Sequence, residues 1–147
     1  MKKTNNKGFS LVELIIVIAI MAILIGVLAP QYIKYVEKSR VSSDKDMIDS
    51  LTKAAQTATT DDDYYDDLND GDNIVITSTG VTVTGGTATT GLNAAISEFY
   101  GSVANNKFKS KVFNSVTVTI KISEDTTNHN LKVVVDANGT TYDPTSY

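Results

Sequence analysis

The residues that could carry chemistry are few in this chain of 147 amino acids. It contains no Cys, which excludes a disulfide framework, a thiolate metal site and a thiol nucleophile. The single His, His129, lies in a polar stretch, and the nucleophile-elbow, P-loop and dinucleotide-binding glycine patterns do not occur. We therefore predict that the chain is not an enzyme and that it needs no cofactor.

The densest group of ionisable side chains is an acidic segment, residues 61–72, which contains seven Asp. A calcium loop of the EF-hand type would place Leu68 at the third ligand position and Thr77 at the twelfth when its glycine is taken as the invariant one. That spacing fails, so we predict no metal site and keep an irregular calcium site as the alternative. We expect a solvated loop in which Tyr64 and Tyr65 pack inward.

The charges are unevenly distributed along the chain. Residues 1–40 hold six basic and two acidic side chains, whereas residues 41–147 hold seven basic and fifteen acidic ones. The net charge of -4 argues against nucleic-acid binding, which depends on clustered Lys and Arg. One small basic and aromatic patch is an exception, and we interpret it as a strand edge protected by Lys, with an acidic partner or DNA as the alternative. It comprises Lys107, Phe108, Lys109, Lys111 and Phe113.

An apolar run, residues 9–29, has Glu13 as its only ionisable side chain. As a helix its 21 residues extend over roughly 31 Å, enough to cross a bilayer. Basic residues precede it, so the positive-inside tendency predicts a cytoplasmic N-terminus. A carboxylate in a spanning helix indicates a functional site, and no Lys or Arg lies three or four residues from Glu13. The alternative is a Glu that extends to the headgroups.

The residues from Lys7 to Leu14, in the order Lys-Gly-Phe-Ser-Leu-Val-Glu-Leu, and the apolar run that ends at Ala29-Pro30 resemble the class III signal and N-terminal helix of type IV prepilins. The resemblance covers residues 7–40. It implies that a prepilin peptidase cuts between Gly8 and Phe9 and then N-methylates Phe9.

The same resemblance implies roles for three further residues. Glu13 is expected to pair with the Phe9 amine of a neighbouring copy during assembly. Pro30 offers no N–H to the carbonyl of Gly26, so the helix is weakest there. The resemblance implies that this segment loses helicity when subunits pack into a filament, and a simple kink at the membrane exit is the alternative.

The resemblance also implies partners and locations. The implied partners are copies of the chain itself, the prepilin peptidase, a cytoplasmic assembly ATPase and a platform membrane protein, with no nucleic acid expected. The precursor is expected to be a single-pass protein of the cytoplasmic membrane, and the assembled form a surface filament. Pilins usually have a C-terminal disulfide, and its absence here points to the low-cysteine, Gram-positive kind.

We predict an α+β fold in which a long N-terminal helix packs on a C-terminal antiparallel sheet. The predicted segments are a leader (1–8), a hydrophobic transmembrane and assembly helix (9–30), an amphipathic helical half (31–60), an acidic loop (61–73) and a β-rich head (74–147). The apolar stripe of the amphipathic half is expected to begin at Ile33 and to lie on the sheet. Its charged side is expected to be solvated, with interhelical pairing inside a filament as the alternative. Alternation with a period of two predicts strands at 74–76, 81–83, 116–122 and 131–135, with a short helix or turn at 92–100. Asn138-Gly139 predicts a tight turn before a last short strand.

The leading functional prediction is a structural subunit, a major type IV pilin whose filament serves adhesion, surface motility or aggregation. The alternative is a pseudopilin of a type II secretion or competence system. A third class is a single-pass binding protein that is never processed and keeps residues 1–8.

Overall fold

The computed structural model describes residues 8–86, 90–125 and 130–146. Helix α1 spans Leu11–Ala58, and a single turn, α2, spans Asp62–Tyr65. The remaining elements, in chain order, are β1 (Asn73–Ile76), β2 (Val81–Thr84), α3 (Gly91–Phe99), β3 (Val118–Asp125), β4 (Asn130–Ala137), β5 (Thr140–Thr141) and a 3-10 turn (Pro144–Ser146). The predicted α+β arrangement of a long helix followed by an antiparallel sheet is confirmed.

The chain divides into two compact units, with the boundary after Val36. The first unit contains the apolar part of α1. The second contains the rest of α1 and every other element. The division into five segments made from the sequence stays a prediction.

The sheet has the strand order β2-β1-β3-β4-β5, with every neighbouring pair antiparallel. Its registers place Ile74 opposite Val83 on one side and Ile120 on the other, so one face is apolar. Because side chains alternate between the two faces of a strand, the residues between them face away from the core. The outer face is rich in Thr, with Thr82, Val75 and Thr119 in one cross-strand row.

The core of the second unit forms between the apolar face of the sheet and one stripe of α1. Ile48, Leu51 and Ala55 lie three or four residues apart and are fully covered. The strand and loop residues in the same cluster include Ile74, Ile76, Phe113, Val118, Ile120 and Ile122. The buried stripe begins later than the predicted one, because Ile33 is 63% exposed.

Three further predictions need correction. Strand β3 begins at Val118, because Val116 donates its N–H to the Phe113 carbonyl in a turn. The predicted strand edge around Lys107 is wrong, since residues 101–117 form an irregular loop. The acidic segment contains a helical turn, α2, whose first amides are capped by the Asp61 side chain at 3.0 Å from the Asp63 nitrogen.

The Asn138-Gly139 prediction is confirmed by the backbone. Asn138 has φ of 50° and Gly139 has φ of 81°, the positive values that a two-residue hairpin turn requires. The Asn138 side-chain oxygen accepts the Thr117 N–H at 2.9 Å, which ties the turn to the segment before β3.

Candidate functional site

The predicted processing bond lies in a non-helical segment immediately before α1. Gly8 has no heavy atom near the position of an added Cβ, and the Phe9 side chain is 84% exposed. A non-helical, uncovered peptide bond is accessible to a protease. Residues 1–7 of the predicted leader lie outside the described residues.

Glu13 closes the first turn of α1 onto the backbone. Its Oε2 accepts the Ser10 N–H at 3.0 Å, and the Leu14 N–H donates to the Ser10 carbonyl at 3.2 Å. A carboxylate at the third helical position that reaches back to the N-cap amide is one half of a capping box. The signal for it, Ser10 followed by Glu13, was present in the sequence but was not used.

Ser10 and Glu13 therefore lie together at the start of α1, next to Phe9. Acidic groups near a helix N-terminus also interact favourably with the helix dipole. A free amine at Phe9, which cleavage after Gly8 would create, would lie about one helical turn from the Glu13 carboxylate. The arrangement could then hold an ion pair.

Gly26 and Pro30 lie inside an unbroken α1 and far from Glu13. At 1.5 Å per residue, they are roughly 20 and 26 Å along the helix from it. Pro30 has no N–H, so the Gly26 carbonyl lacks its usual partner four residues ahead. The structure does not bring these two residues together with the N-terminal site.

The apolar half of α1 is uncovered in the single chain. By length and composition this segment is apolar enough to cross a membrane. The large apolar side chains from Leu11 to Leu28 are between 46% and 73% exposed. A soluble monomer rarely presents an apolar surface this large, so this half of α1 requires lipid or other helices around it.

A second site, missed from the sequence, lies on the other half of α1. Asp44 is 1% exposed, and its carboxylate accepts the Lys109 N–H at 3.0 Å and the Ser110 N–H at 2.9 Å. Glu37 accepts the Lys111 N–H at 2.5 Å. These contacts correct the prediction that the charged side of α1 is entirely solvated.

The signal that could have identified Asp44 is its spacing. It precedes Ile48 by four residues and Leu51 by seven, so it lies in phase with the buried stripe of α1. A charged residue in such a position needs hydrogen-bond partners when it is buried. Those partners come from a loop 65 residues later in the chain, and the sequence did not reveal that pairing.

The acidic segment packs through an aromatic contact. Tyr64 donates its hydroxyl hydrogen to Glu98, and its ring meets Phe99 edge-on with a centroid separation of 5.9 Å. The hydrogen bond to Glu98, together with partial burial and the Glu98 charge, raises the pKa of Tyr64 to about 12. The predicted inward packing holds for Tyr64.

The remaining sequence candidates form no ion site in the part of the chain that the structure describes. Residues 8–86, 90–125 and 130–146 contain no group of three or more His, Asp or Glu side chains that could hold a metal ion. His129 lies outside the described residues. Asp72 is buried and accepts the Asn69 N–H at 2.9 Å, so it has a local structural role.

Comparison with known proteins identifies the N-terminal region. Residues 3–29 match the family model described as the prokaryotic N-terminal methylation motif. The type IV major pilin protein PilA of Myxococcus xanthus (strain DK1622) is 37% identical over 64 residues, 44% of this chain and 29% of that protein.

Two fimbrial proteins are similar over shorter segments. The type IV major fimbrial protein FimA of Dichelobacter nodosus is 39% identical over 59 residues, 40% of this chain and 38% of that protein. A fimbrial protein of Pseudomonas aeruginosa is 40% identical over 53 residues, 36% of this chain and 34% of that protein.

The matched segments cover less than two fifths of these relatives. No solved structure matches the chain. The predicted resemblance to type IV prepilins is confirmed for the N-terminal segment, since the chain carries the N-terminal methylation motif and has type IV major pilins among its homologues.

Proposed function

We propose that this chain is a structural subunit of a type IV pilus, most of whose contacts with its neighbours come from the apolar half of α1. The observation that carries the proposal is the methylation motif followed directly by an uncovered apolar helix. Neighbouring copies would cover the same side chains that lipid covers before assembly. We propose that the filament functions in adhesion, surface motility or aggregation.

The proposed maturation uses the residues at the start of α1. A prepilin peptidase cuts between Gly8 and Phe9, and the new Phe9 amine is methylated. The exposure of both residues and the methylation motif over residues 3–29 support this assignment. Before assembly, the chain crosses the cytoplasmic membrane once with its N-terminus inside.

Glu13 then serves assembly in this proposal. In the single chain its carboxylate caps the Ser10 amide, a contact that does not neutralise its charge. The Phe9 amine of an adjacent copy supplies the opposite charge within the membrane. Gly26 and Pro30 mark the stretch of α1 where helical hydrogen bonding is weakest, and we propose that it unwinds on packing. A cytoplasmic assembly ATPase and a platform protein extract the subunit from the membrane during assembly.

Mass spectrometry of sheared surface fibres tests the proposed function directly. The expected main component is this chain beginning at methylated Phe9. A chain that keeps Met1 and stays in the membrane fraction would refute the pilin assignment. Mature chain in short periplasmic or wall-spanning assemblies, without surface fibres, would refute the pilus in favour of a pseudopilin.

Two substitutions at Glu13 separate its charge from its capping role. Glu13→Gln keeps a side chain that can accept the Ser10 N–H, because Gln also serves in capping boxes, but it removes the charge. We expect Glu13→Gln and Glu13→Val to be cleaved normally and both to lower fibre yield strongly. Fibre yield at the wild-type level in Glu13→Gln, with loss only in Glu13→Val, would show that capping, not charge, is what assembly needs.

A further inference from the structure

Three exposed lysines form a row on the loop that Asp44 holds. The two residues between them are buried, with Phe108 at 4% and Ser110 at 3% exposure. We call the exposed side chains the lysine ridge; it consists of Lys107, Lys109 and Lys111. All three lysines are exposed, whereas Phe108 and Ser110 between them are buried.

The backbone beneath the lysine ridge is fixed by four consecutive amides. Phe108 donates to the Thr77 carbonyl at 3.0 Å, and the next two amides donate to Asp44. The Lys111 amide donates to Glu37. Stacking of Phe108 on Phe113, with centroids 4.8 Å apart, anchors the same loop in the core. A partner of the lysine ridge therefore does not have to order this backbone on binding.

A second exposed surface has the complementary charge. It combines the carboxylates of α2 and the residue after it with the aromatic pair of Tyr64 and Phe99, of which Phe99 is 44% exposed. Carboxylates beside open aromatic faces suit ammonium groups, through ion pairs and cation–π contacts. We call this the acidic-aromatic face; it consists of Asp62, Asp63, Tyr64, Asp66 and Phe99.

The two surfaces are attached to distant points of the same helix. The lysine ridge is held at Asp44, whereas the acidic-aromatic face follows the end of α1 at Ala58. Among the described residues, no ion pair joins the lysine ridge to the acidic-aromatic face within one chain, so both surfaces remain available to a second copy.

We propose that the lysine ridge of one copy docks on the acidic-aromatic face of a second copy, displaced along the α1 axis. The inference rests on the proposed function, which brings copies together in parallel. Residues 41–147 hold seven basic and fifteen acidic side chains, so closely packed copies repel unless their few cations meet carboxylates. The ridge places three of those seven cations in one row, and a second copy presents the most acidic segment of the chain.

Charge reversal tests the docking in cells that assemble the full chain. We expect K109E/K111E to lower the yield of sheared fibres about tenfold or more, because like charges then face each other between copies. The backbone amides that bind Asp44 and Glu37 remain in this variant. The matched control K53E/K132E makes the same change in net charge at two other exposed lysines and should keep fibre yield near the wild-type level.

The reciprocal variant makes the test specific. D62K/D63K should also lower fibre yield, and co-expression of K109E/K111E with D62K/D63K should restore it. In the mixed fibre a Glu ridge meets a Lys face, and an unchanged ridge meets an unchanged face. Restoration requires that the two surfaces contact each other directly, since general effects of charge or folding would not cancel.

Engineered cysteines provide an independent readout, because the chain has no Cys of its own. Fibres of a Lys109→Cys/Asp63→Cys variant should give a ladder of disulfide-linked chains on a non-reducing gel, and Lys132→Cys/Asp63→Cys should not. The docking would be refuted if K109E/K111E gave the same fibre yield as K53E/K132E and the Lys109→Cys/Asp63→Cys variant gave no ladder. The proposed function would stand in that case, provided that the wild-type chain forms fibres. Absence of fibres from the wild-type chain would refute the proposed function itself. Normal fibres of K109E/K111E that lose retention of duplex DNA would also refute the docking and assign the ridge to nucleic acid.

Discussion

Asp44 is a charged side chain at a position that α1 otherwise fills with apolar residues. Both of its carboxylate oxygens accept backbone N–H groups, so its charge is solvated by the loop instead of by water. Hydrogen bonds to a charged group are stronger than those between neutral groups, and buried donors left without a partner are costly. Asp44 therefore holds the Lys109–Ser110 backbone in the way that a turn or strand would elsewhere.

Replacing Asp44 should destabilise the second unit. We expect Asp44→Ala to lower the free energy of unfolding by about 3 kcal/mol, because two loop amides lose their acceptor. Asp49→Ala on the exposed side of the same helix should change it by less than about 0.5 kcal/mol. Denaturant unfolding of the full chain in detergent measures both. Equal effects would contradict the role of Asp44, and fast exchange of the Lys109 and Ser110 amides in Asp44→Ala would support it.

Tyr64 makes the stability of the fold decrease as the pH rises above 10. Its pKa rises from the ordinary 10.0 to about 12 because the neutral hydroxyl donates to Glu98. A group that holds its proton more tightly when folded stabilises the fold below its unfolded pKa and stops doing so as pH rises through the folded pKa. The contribution is therefore complete below pH 10 and is lost by about pH 12.

The titration of Tyr64 can be isolated by difference. Subtracting the tyrosinate absorbance of Tyr64→Phe from that of the wild type should give a curve with its midpoint near pH 12. Tyr64→Phe should also lose less stability than the wild type between pH 10 and pH 12. A difference curve centred at pH 10 would mean that the Glu98 contact does not persist in solution.

At the residue scale, sequence reasoning worked where a residue acts through its neighbours in the chain. Asn138-Gly139 makes a turn by its own backbone preference, whereas the roles of Phe9 and Glu13 stay predictions. Asp44 and Tyr64 depend on partners 65 and 34 residues away. A local sequence pattern does not indicate partners that lie far away in the chain, so these contacts could not be predicted from it.

Among the elements, β2 and α3 are joined by a connection in which the backbone of Gly86 closely approaches that of Thr90. Gly86 has φ of 66°, and a Cβ there would lie 2.2 Å from the Thr90 carbonyl oxygen. Asn93 closes the same connection by donating to the Gly85 carbonyl at 3.1 Å. Only glycine fits this position, because a side chain would meet both the strained φ and the carbonyl.

Substitution at Gly86 should therefore displace α3 from the sheet. We expect Gly86→Ala to lower stability by about 1–3 kcal/mol. Gly80→Ala is the matched control, because nothing lies within 4 Å of a Cβ at Gly80, and it should be nearly neutral. Thermal unfolding of both variants measures the difference, and an equally stable Gly86→Ala would show that the connection relaxes without penalty.

The elements themselves were largely predictable, because period-two alternation and the positions of glycine determine short strands and turns. Strands β1, β2 and β4, helix α3 and the final hairpin all occur where the pattern placed them. The loop before β3 was not predictable, because its alternating Lys and aromatic residues resemble the pattern of a strand. Its amides donate to carboxylates of α1 instead of to a neighbouring strand, because tertiary contacts override the local pattern.

On the scale of the whole molecule, the core belongs entirely to the second unit. All described buried apolar residues lie between Ile48 and Ala137. We therefore expect a fragment of residues 37–147 to fold without the apolar half of α1 and to unfold cooperatively on heating. Leu51→Ala in this fragment should lower the free energy of unfolding by about 2–5 kcal/mol, since Leu51 is fully buried. A fragment without a cooperative transition would show that folding needs the first unit.

The strand order has a consequence for the export step of the proposed function. Strand β2 pairs with β1, β3 then adds to the free side of β1, and β4 and β5 extend the same side in turn. No strand has to be threaded between two that are already paired. If the second unit leaves the membrane in the order of synthesis, as the proposed function requires, the sheet can grow one strand at a time along one edge while the N-terminus of α1 stays on the cytoplasmic side.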